Sequence, residues 1–255
     1  MNKFALDTMK IKSDWFREGK SNMYKNMGRD EGLDLYLQLF RFRIHQGDFN
    51  EHIFHTSLLE LQRCTSINRR RRDKYLSIGK LKSMLLKLED LGVIKIHTYN
   101  FENLIGNELL IIQATDTPDT ERINDKDKIA DDSFYIPVRF DLIDYMYSEL
   151  KFTSREVSFF ILLSMYGMRK GNSKTTMKIN NMKIRLGTRN EKITEMLIKL
   201  NESGLIYTVI MSEGNKTRFE HYMCRSLDKL EEFKKESKKY RDKFLRRYAE
   251  DKDSK

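Results

Sequence analysis

The sequence predicts a mainly α protein of the α+β class, in which one helical module is used twice and a long helix closes the chain. Three observations predict it. Residues 80–94 (KLKSMLLKLEDLGVI) and 192–206 (KITEMLIKLNESGLI) match at seven positions with a constant offset of 112, the mark of a duplicated unit. Each match ends at a glycine and runs on into a β-rich stretch. Between the copies, residues 113–133 carry seven acids against three bases, a net of −4, with almost no apolar residues and no period, so they read as a linker. A length of 255 residues allows two domains of ordinary size, and only two prolines disfavour a loop-rich all-β fold.

The elements follow in order. Residues 1–31 form an N-terminal extension, polar with scattered aromatics, in which Trp15, Phe16, Met23, Tyr24 and Met27 can dock one face. The first module spans 32–112. GLDLYLQLFRFRIHQG (32–47) predicts a long apolar helix and TSLLELQRC (56–64) a short one. The stretch from Lys80 has apolar residues three and four apart, as an amphipathic helix requires, and Gly92 suits a left-handed stop. VIKIHTYN, the turn ENLIGN and ELLIIQ predict a hairpin. The second module spans 134–225 and repeats this order. Its long helix, TSREVSFFILLSMYGMRKG (153–171), opens with Thr153 and Glu156 as a capping box, and INNMKIRLG (179–187) is the short helix. Another box, Thr188 with Glu191, opens the helix that stops at Gly204, and LIYTVIMS, EGNKT and RFEHYMC give the hairpin. Three helices followed by a two-stranded hairpin is the winged-helix arrangement, so the fold reads as two tandem winged-helix domains with a long C-terminal helix. Gly47 to Gly92 is 45 residues and Gly171 to Gly204 is 33, so the first copy carries about twelve extra residues around INRRRRDKY. Residues 226–255 form the C-terminal charged helix. Its Leu230, Phe233, Tyr240, Phe244 and Tyr248 keep roughly helical spacing, a stripe that can pack within the chain or make a homodimer.

Charge narrows the partner. The net charge is +10, and the linker's −4 leaves +14 for the rest. That excess points to an anionic partner, nucleic acid first, against the alternative of a basic surface that only keeps the protein soluble. No run of 18 apolar residues exists, so no membrane span is expected. The N-terminus has no apolar signal core, so a cytoplasmic protein is expected, with Cys64 and Cys224 as reduced thiols outside any metal-type spacing. GxxxxGK[ST], GxSxG and HExxH are all missing, so no enzyme and no cofactor are expected. His52 and His55 resemble the His-x-His of rolling-circle nickases, but three apart they point to opposite faces of a strand; on a helix they can share a face, but no third ligand beyond His45 is evident, and no metal site is expected. Asp141 and Asp144 resemble caps at the start of a helix.

The third helix of such a module enters the major groove, while the first helix and the wing touch phosphate. In copy one, Ser77, Lys80, Ser83 and Lys87 face outward and Ile78, Leu81, Leu85 and Leu88 inward. In copy two, Arg189, Asn190, Lys192 and Lys199 face outward and Ile193, Leu197 and Leu200 inward. Arg and Asn can bond guanine and adenine bidentately. Lys174, Lys178, Lys183 and Arg185 add positive charge ahead of that helix. Arg69, Arg70, Arg71 and Arg72, with Lys74, precede the first recognition helix. Four adjacent guanidiniums are released from mutual repulsion by phosphates, which makes binding steeply salt-dependent. Lys216 and Arg218 sit at the second wing, and the first wing turn has no base. The bland reading of each group is a solvated basic face.

The first copy, with its long apolar first helix, its TSLLELQ segment and the exit LEDLGVI, resembles the N-terminal winged helix of DnaD-type primosome proteins and phage replisome organisers. Copy two resembles the N-terminal domain of RepA_N-type plasmid initiators, through Phe134, Tyr135, Ile136 and Pro137 at its start and Gly204, Leu205 and Ile206 at its exit. The two resemblances cover about 170 residues. A DnaD-type C-terminal domain is not visible, so the element they share is origin binding. They imply a sequence-specific double-stranded DNA binder of the plasmid or phage replication-initiator class, acting on repeated origin or operator sites and recruiting host replication proteins. The alternatives are a transcriptional autorepressor, a winged-helix adaptor that binds proteins without DNA, and an RNA-binding module.

Overall fold

The structure, a computed structural model, describes residues 8–16, 22–44, 52–65, 76–115, 135–168, 174–213 and 216–253. It is a mixed α+β chain in which helices predominate over small antiparallel sheets. The chain divides into two compact units: residues 1–140 with 153–158, and residues 141–152 with 159–255.

The first unit contains β1 (Thr8–Lys12), α1 (Met23–Asn26), α2 (Asp30–Leu39), β2 (His52–Thr56), α3 (Leu58–Cys64), α4 (Ile78–Asp90), β3 (Ile94–Ile96), β4 (Leu110–Ala114) and β5 (Tyr135–Arg139). β1 pairs antiparallel with β5. The other sheet of this unit has the order β2-β4-β3. Leu33 and Leu37 of α2, Leu58 and Leu61 of α3, and Leu81, Leu85 and Leu88 of α4 are buried, with Phe54 and Ile112 beneath them on the sheet. The extension's aromatics join this core: Trp15 meets Tyr36 edge-on at 5.0 Å, and Phe16 stacks on Tyr24 at 4.6 Å. The Tyr24 hydroxyl donates to Asp30, which also accepts from Arg155 Nε at 2.8 Å. Burial, and then the Asp30 charge, hold the Tyr24 phenol well above its ordinary range.

In the second unit, α5 (Phe140–Ser148, all but its first residue in this unit) and α6 (Ser154–Met168, of which 154–158 belong to the first unit) lead into β6 (Lys174–Thr175). Then come α7 (Ile179–Leu186), α8 (Asn190–Glu202), β7 (Ile206–Glu213), β8 (Lys216–Met223) and α9 (Leu230–Asp253). From Phe159 to Met165 α6 is buried on every side, as an apolar run without a polar face requires. Met182 and Leu186 of α7 and Ile193, Leu197 and Leu200 of α8 are buried as well. The sheet order is β6-β8-β7. The aromatic stripe of α9 is used within the chain: Tyr207 stacks on Tyr222 at 4.6 Å and meets Phe233 and Tyr240 at 5.3 and 5.4 Å, and Phe244 is fully buried.

The duplication seen in the sequence extends to topology. Both units run helix, strand, helix, helix, strand, strand, and in both sheets the last strand lies between the other two. Gly92 and Gly204 close α4 and α8 with φ of +67° and +74°, the left-handed conformation their position demands. The Thr153–Glu156 box forms, with Glu156 N–H donating to Thr153 Oγ1 and Thr153 N–H to the Glu156 carboxylate.

Three expectations change. The first long helix ends at Leu39 and tightens into a 3-10 turn at Phe40–Phe42, instead of reaching residue 47. The chain there is drawn into the sheet: Arg43 bridges Phe54, and Ile44 N–H donates to Ile53 O at 2.9 Å. The Thr188–Glu191 box does not form. Gly187 takes a left-handed turn and the Thr188 N–H is spent on Lys183 O, so α8 starts one residue later with Arg189 at its N-cap and no side-chain cap. Short strands β2 and β6 precede the second helix of each copy, where only helices and loops were expected.

Candidate nucleic-acid interface

The polar face of α4 is as the spacing predicts. Ser77, Lys80, Ser83 and Lys87 are exposed, opposite the buried Leu81, Leu85 and Leu88, and Ile78 is half-buried at the rim. Ser77 is the N-cap; its hydroxyl accepts from Lys80 N–H at 3.2 Å. The Lys80 ammonium is engaged by Glu31 of α2 at 2.9 Å. That carboxylate lies 49 residues away in sequence and no local pattern announced it. The side chains of Lys87 and Ser83 are left toward solvent.

The face of α8 is less basic than its spacing suggested. Arg189, Asn190 and Lys192 are exposed, but so are Glu191, Glu195 and Glu202. Lys192 is paired with Glu195 at 2.6 Å. Lys199, expected to face outward, is half-buried with its ammonium 4.4 Å from the centre of the Phe152 ring. The aromatic face attracts the cation, and the long stem covers apolar surface. Arg189 and Asn190 are therefore the groups at the start of this helix left to meet a ligand.

Four other predicted cations converge where no single stretch of sequence placed them. Lys174 of β6, Lys178 at the N-cap of α7, Arg185 of α7 and Arg218 of β8 line one cleft of about 600 Å³. Its remaining wall includes Tyr166, Thr176, Asn181 and Glu220, none of which stands out in the sequence. Glu220 is buried; it accepts from Lys174 Nζ at 3.1 Å and from the Tyr222 hydroxyl at 2.9 Å. Burial pushes its carboxyl up, but those hydrogen bonds and the Lys174 and Arg218 charges outweigh it and hold the group below the ordinary carboxylate value. The same hydrogen bond raises Lys174. Both stay ionised near neutrality. The Arg185 guanidinium lies over the Tyr166 ring at 4.7 Å. Lys178 and Arg218 are exposed and, among the described residues, have no ion pair. Lys183 is half-buried and does not line this cleft.

Arg69, Arg70, Arg71, Arg72 and Lys74 lie outside the described residues, as does the side chain of Lys216. His52 is buried and His55 exposed, on opposite faces of β2. No group of metal-binding side chains occurs among the described residues, and no described helix is long and apolar enough to cross a membrane. Comparison with protein-family models, with curated proteins and with solved structures finds no match for this chain.

Proposed function

We propose that this protein is a sequence-specific double-stranded DNA-binding protein of the plasmid or phage replication-initiator class, built on two tandem winged helices. One observation carries the reading. The same order of elements, with the same strand order, occurs twice, and each time the third helix turns a polar face to solvent. A third helix presented in this way is the element that enters a major groove. Lys87 with Ser83 on α4, and Arg189 with Asn190 on α8, are the groups that would reach base edges. Two modules in one chain suit a site of two half-sites, and repeated origin sites supply such pairs. The protein binds DNA and recruits replication proteins; it carries out no chemistry itself.

The test is a selection from a random-sequence duplex library at physiological ionic strength. Recovery of one short motif is expected, and an origin array carrying that motif as direct repeats would tie it to replication. Failure to retain any fragment sinks the reading.

An adaptor reading has one observation in its favour. In the first unit the turn between β3 and β4 exposes Tyr99, Ile105 and Leu109 at 87, 84 and 56% and carries no base. Apolar exposure of that kind marks protein contacts. If the modules act as adaptors, neutralising Arg69–Arg72 together with Arg189 leaves partner binding intact; if they dock DNA, duplex binding is lost.

A further inference from the structure

We propose that the cationic cleft of the second unit is a phosphoryl-binding site that seats the backbone of the bound duplex, and that the first unit has no counterpart to it. The duplex as the source of the phosphoryl group rests on the DNA-binding reading; the site's chemistry does not.

The charge balance comes first. Lys174, Lys178, Arg185 and Arg218 face one concavity with the single carboxylate of Glu220 among them, a net of three positive charges. Like charges gathered in a cleft raise one another's energy, and an anion relieves it. The volume of about 600 Å³ fits a phosphate with its flanking sugar and is too open for a buried structural ion pair. Glu220 does not compete for the ligand. It is held by Lys174 and Tyr222 at the cleft wall, and so fixes Lys174 in place as one side of the site. The Arg185 guanidinium lies over the Tyr166 ring and adds a fixed positive charge at the wall, of the kind that suits phosphate oxygens. Thr176 and Asn181 add neutral hydrogen-bonding groups at the wall.

The contrast with the first unit argues against accident. Strand register aligns the two units position by position. Ile112 pairs with Phe54 and Ile96 as His221 pairs with Thr175 and Thr208. From that register Lys174 corresponds to Ile53, Arg218 to Leu109 and Glu220 to Ile111. The N-caps align Lys178 with Ser57, and the helices align Arg185 with Cys64. Every charged group of the cleft is neutral in the first unit.

The experiment replaces the two exposed cations, Lys178→Gln with Arg218→Gln, and measures duplex affinity against salt. A charge-matched control, Lys25→Gln with Lys95→Gln, removes two exposed lysines of the first unit. The cleft seats one phosphate, and each lost phosphate contact lowers the salt slope by about 1, so the cleft variant should lower it by about 1 and the control by much less. In parallel, inorganic pyrophosphate is titrated calorimetrically into the full chain at low salt; it carries the phosphoryl chemistry without a groove. Wild-type binding that the cleft variant loses is the expected result. An unchanged slope with duplex still bound, together with no pyrophosphate binding, overturns the proposal. Pyrophosphate binding with an unchanged slope overturns the duplex as the source and leaves a site for a free phosphorylated ligand. A wild-type chain that binds pyrophosphate through the cleft but no duplex rejects the DNA-binding reading and keeps the site. Binding of neither probe rejects both.

Discussion

The two repeats are one scaffold with two chemistries. Their apolar frames match closely: Leu81, Leu85 and Leu88 of α4 occupy the places of Ile193, Leu197 and Leu200 of α8, and all six are buried. Their polar groups do not match. Behind the sheet of the second unit, Asn201 Nδ2 donates to Leu197 O at 2.8 Å and to Thr208 Oγ1 at 3.1 Å, and Thr208 meets His221 Nδ1 at 3.0 Å. In the first unit the places of Thr208 and His221 are taken by Ile96 and Ile112. Helix α3 of the first unit is capped by Ser57 and Glu60, with Glu60 N–H donating to Ser57 Oγ at 3.2 Å. Its counterpart α7 has no side-chain cap and starts at the cationic cleft. The scaffold depends on the spacing of large apolar residues, so duplication preserved it. The polar groups differ both inside the fold, at the buried Asn201, Thr208 and His221, and at the surface, around the cleft.

The largest expected effect tests the shared frame. Leu85→Ala and Leu197→Ala each open a cavity in a fully packed core and should each cost about 2–5 kcal/mol. Trp15 is the sole tryptophan and is buried in the first unit, so its fluorescence follows the Leu85 variant. The Tyr207–Tyr222 stack gives a near-ultraviolet dichroism signal for the Leu197 variant. Costs that agree to within about 1 kcal/mol support two energetically equivalent cores; a cost near zero for either leucine breaks the equivalence.

The next effect tests the polar network. Burial pushes the His221 pKa down to about 4. The unfolded chain, with an ordinary histidine near 6.5, therefore binds more protons between those two values. Stability is fully present above about pH 6.5 and is lost as the pH falls toward 4, by roughly 3 kcal/mol from this group. His221→Ile installs the residue of the first unit. Denaturant midpoints of the two proteins, compared at about pH 7 and about pH 4.5, should show the variant losing less stability on acidification. Parallel acid losses would show that His221 takes up its proton in the fold as readily as in the unfolded chain.

How far the sequence revealed this molecule depends on whether an interaction is local. The helices α4 and α8 and their stops at Gly92 and Gly204 were legible because apolar spacing and a left-handed glycine are written within about fifteen residues. The Thr153 box was legible for the same reason. The Thr188 box misled because the same local motif competed with a turn at Gly187 that claimed the Thr188 N–H. Strands β2 and β6 were invisible, since HIFHT alternates weakly and Lys174–Thr175 is two residues long. They exist because β4 and β8 offer an edge. The cleft depends on that pairing. Lys174 and Glu220 are 46 residues apart and meet only through β6 and β8, so its cations were each legible as basic but not as one site.

Capping offers a smaller contrast between α4 and α8. α4 has Ser77, whose hydroxyl accepts from Lys80 N–H; α8 has Arg189, which caps nothing. Ser77→Ala should cost about 1 kcal/mol. Arg189→Ser should do the opposite and stabilise the second unit by about 0.5–1 kcal/mol, while weakening duplex binding. A stability gain with unchanged affinity would remove Arg189 from the interface. An N-cap that stabilises less than serine would is a sign that the position serves binding, so the two readouts should move in opposite directions.

The smallest effect on stability carries a larger one on binding. Lys80 is held by Glu31 at 2.9 Å, and both side chains are more than two-fifths exposed. Pairs of this kind contribute under about 1 kcal/mol, so Glu31→Gln should leave the denaturation midpoint almost unmoved. Under the proposed DNA-binding reading it should still change how the first unit meets the duplex. Glu31 neutralises one of the two exposed lysines on the α4 face, and a phosphate must displace it to reach Lys80. With the carboxylate gone, the ammonium is open to the backbone, and the salt slope of duplex binding should steepen by about 1. The counterpart in the second unit is Lys192 with Glu195, at 2.6 Å on the same helix. Glu195→Gln should steepen the slope equally if α8 docks as α4 does. A response to Glu31→Gln alone would mean that α4 lies on the phosphates while α8 is turned away from them, and the repeats would then differ in how they dock as well as in charge.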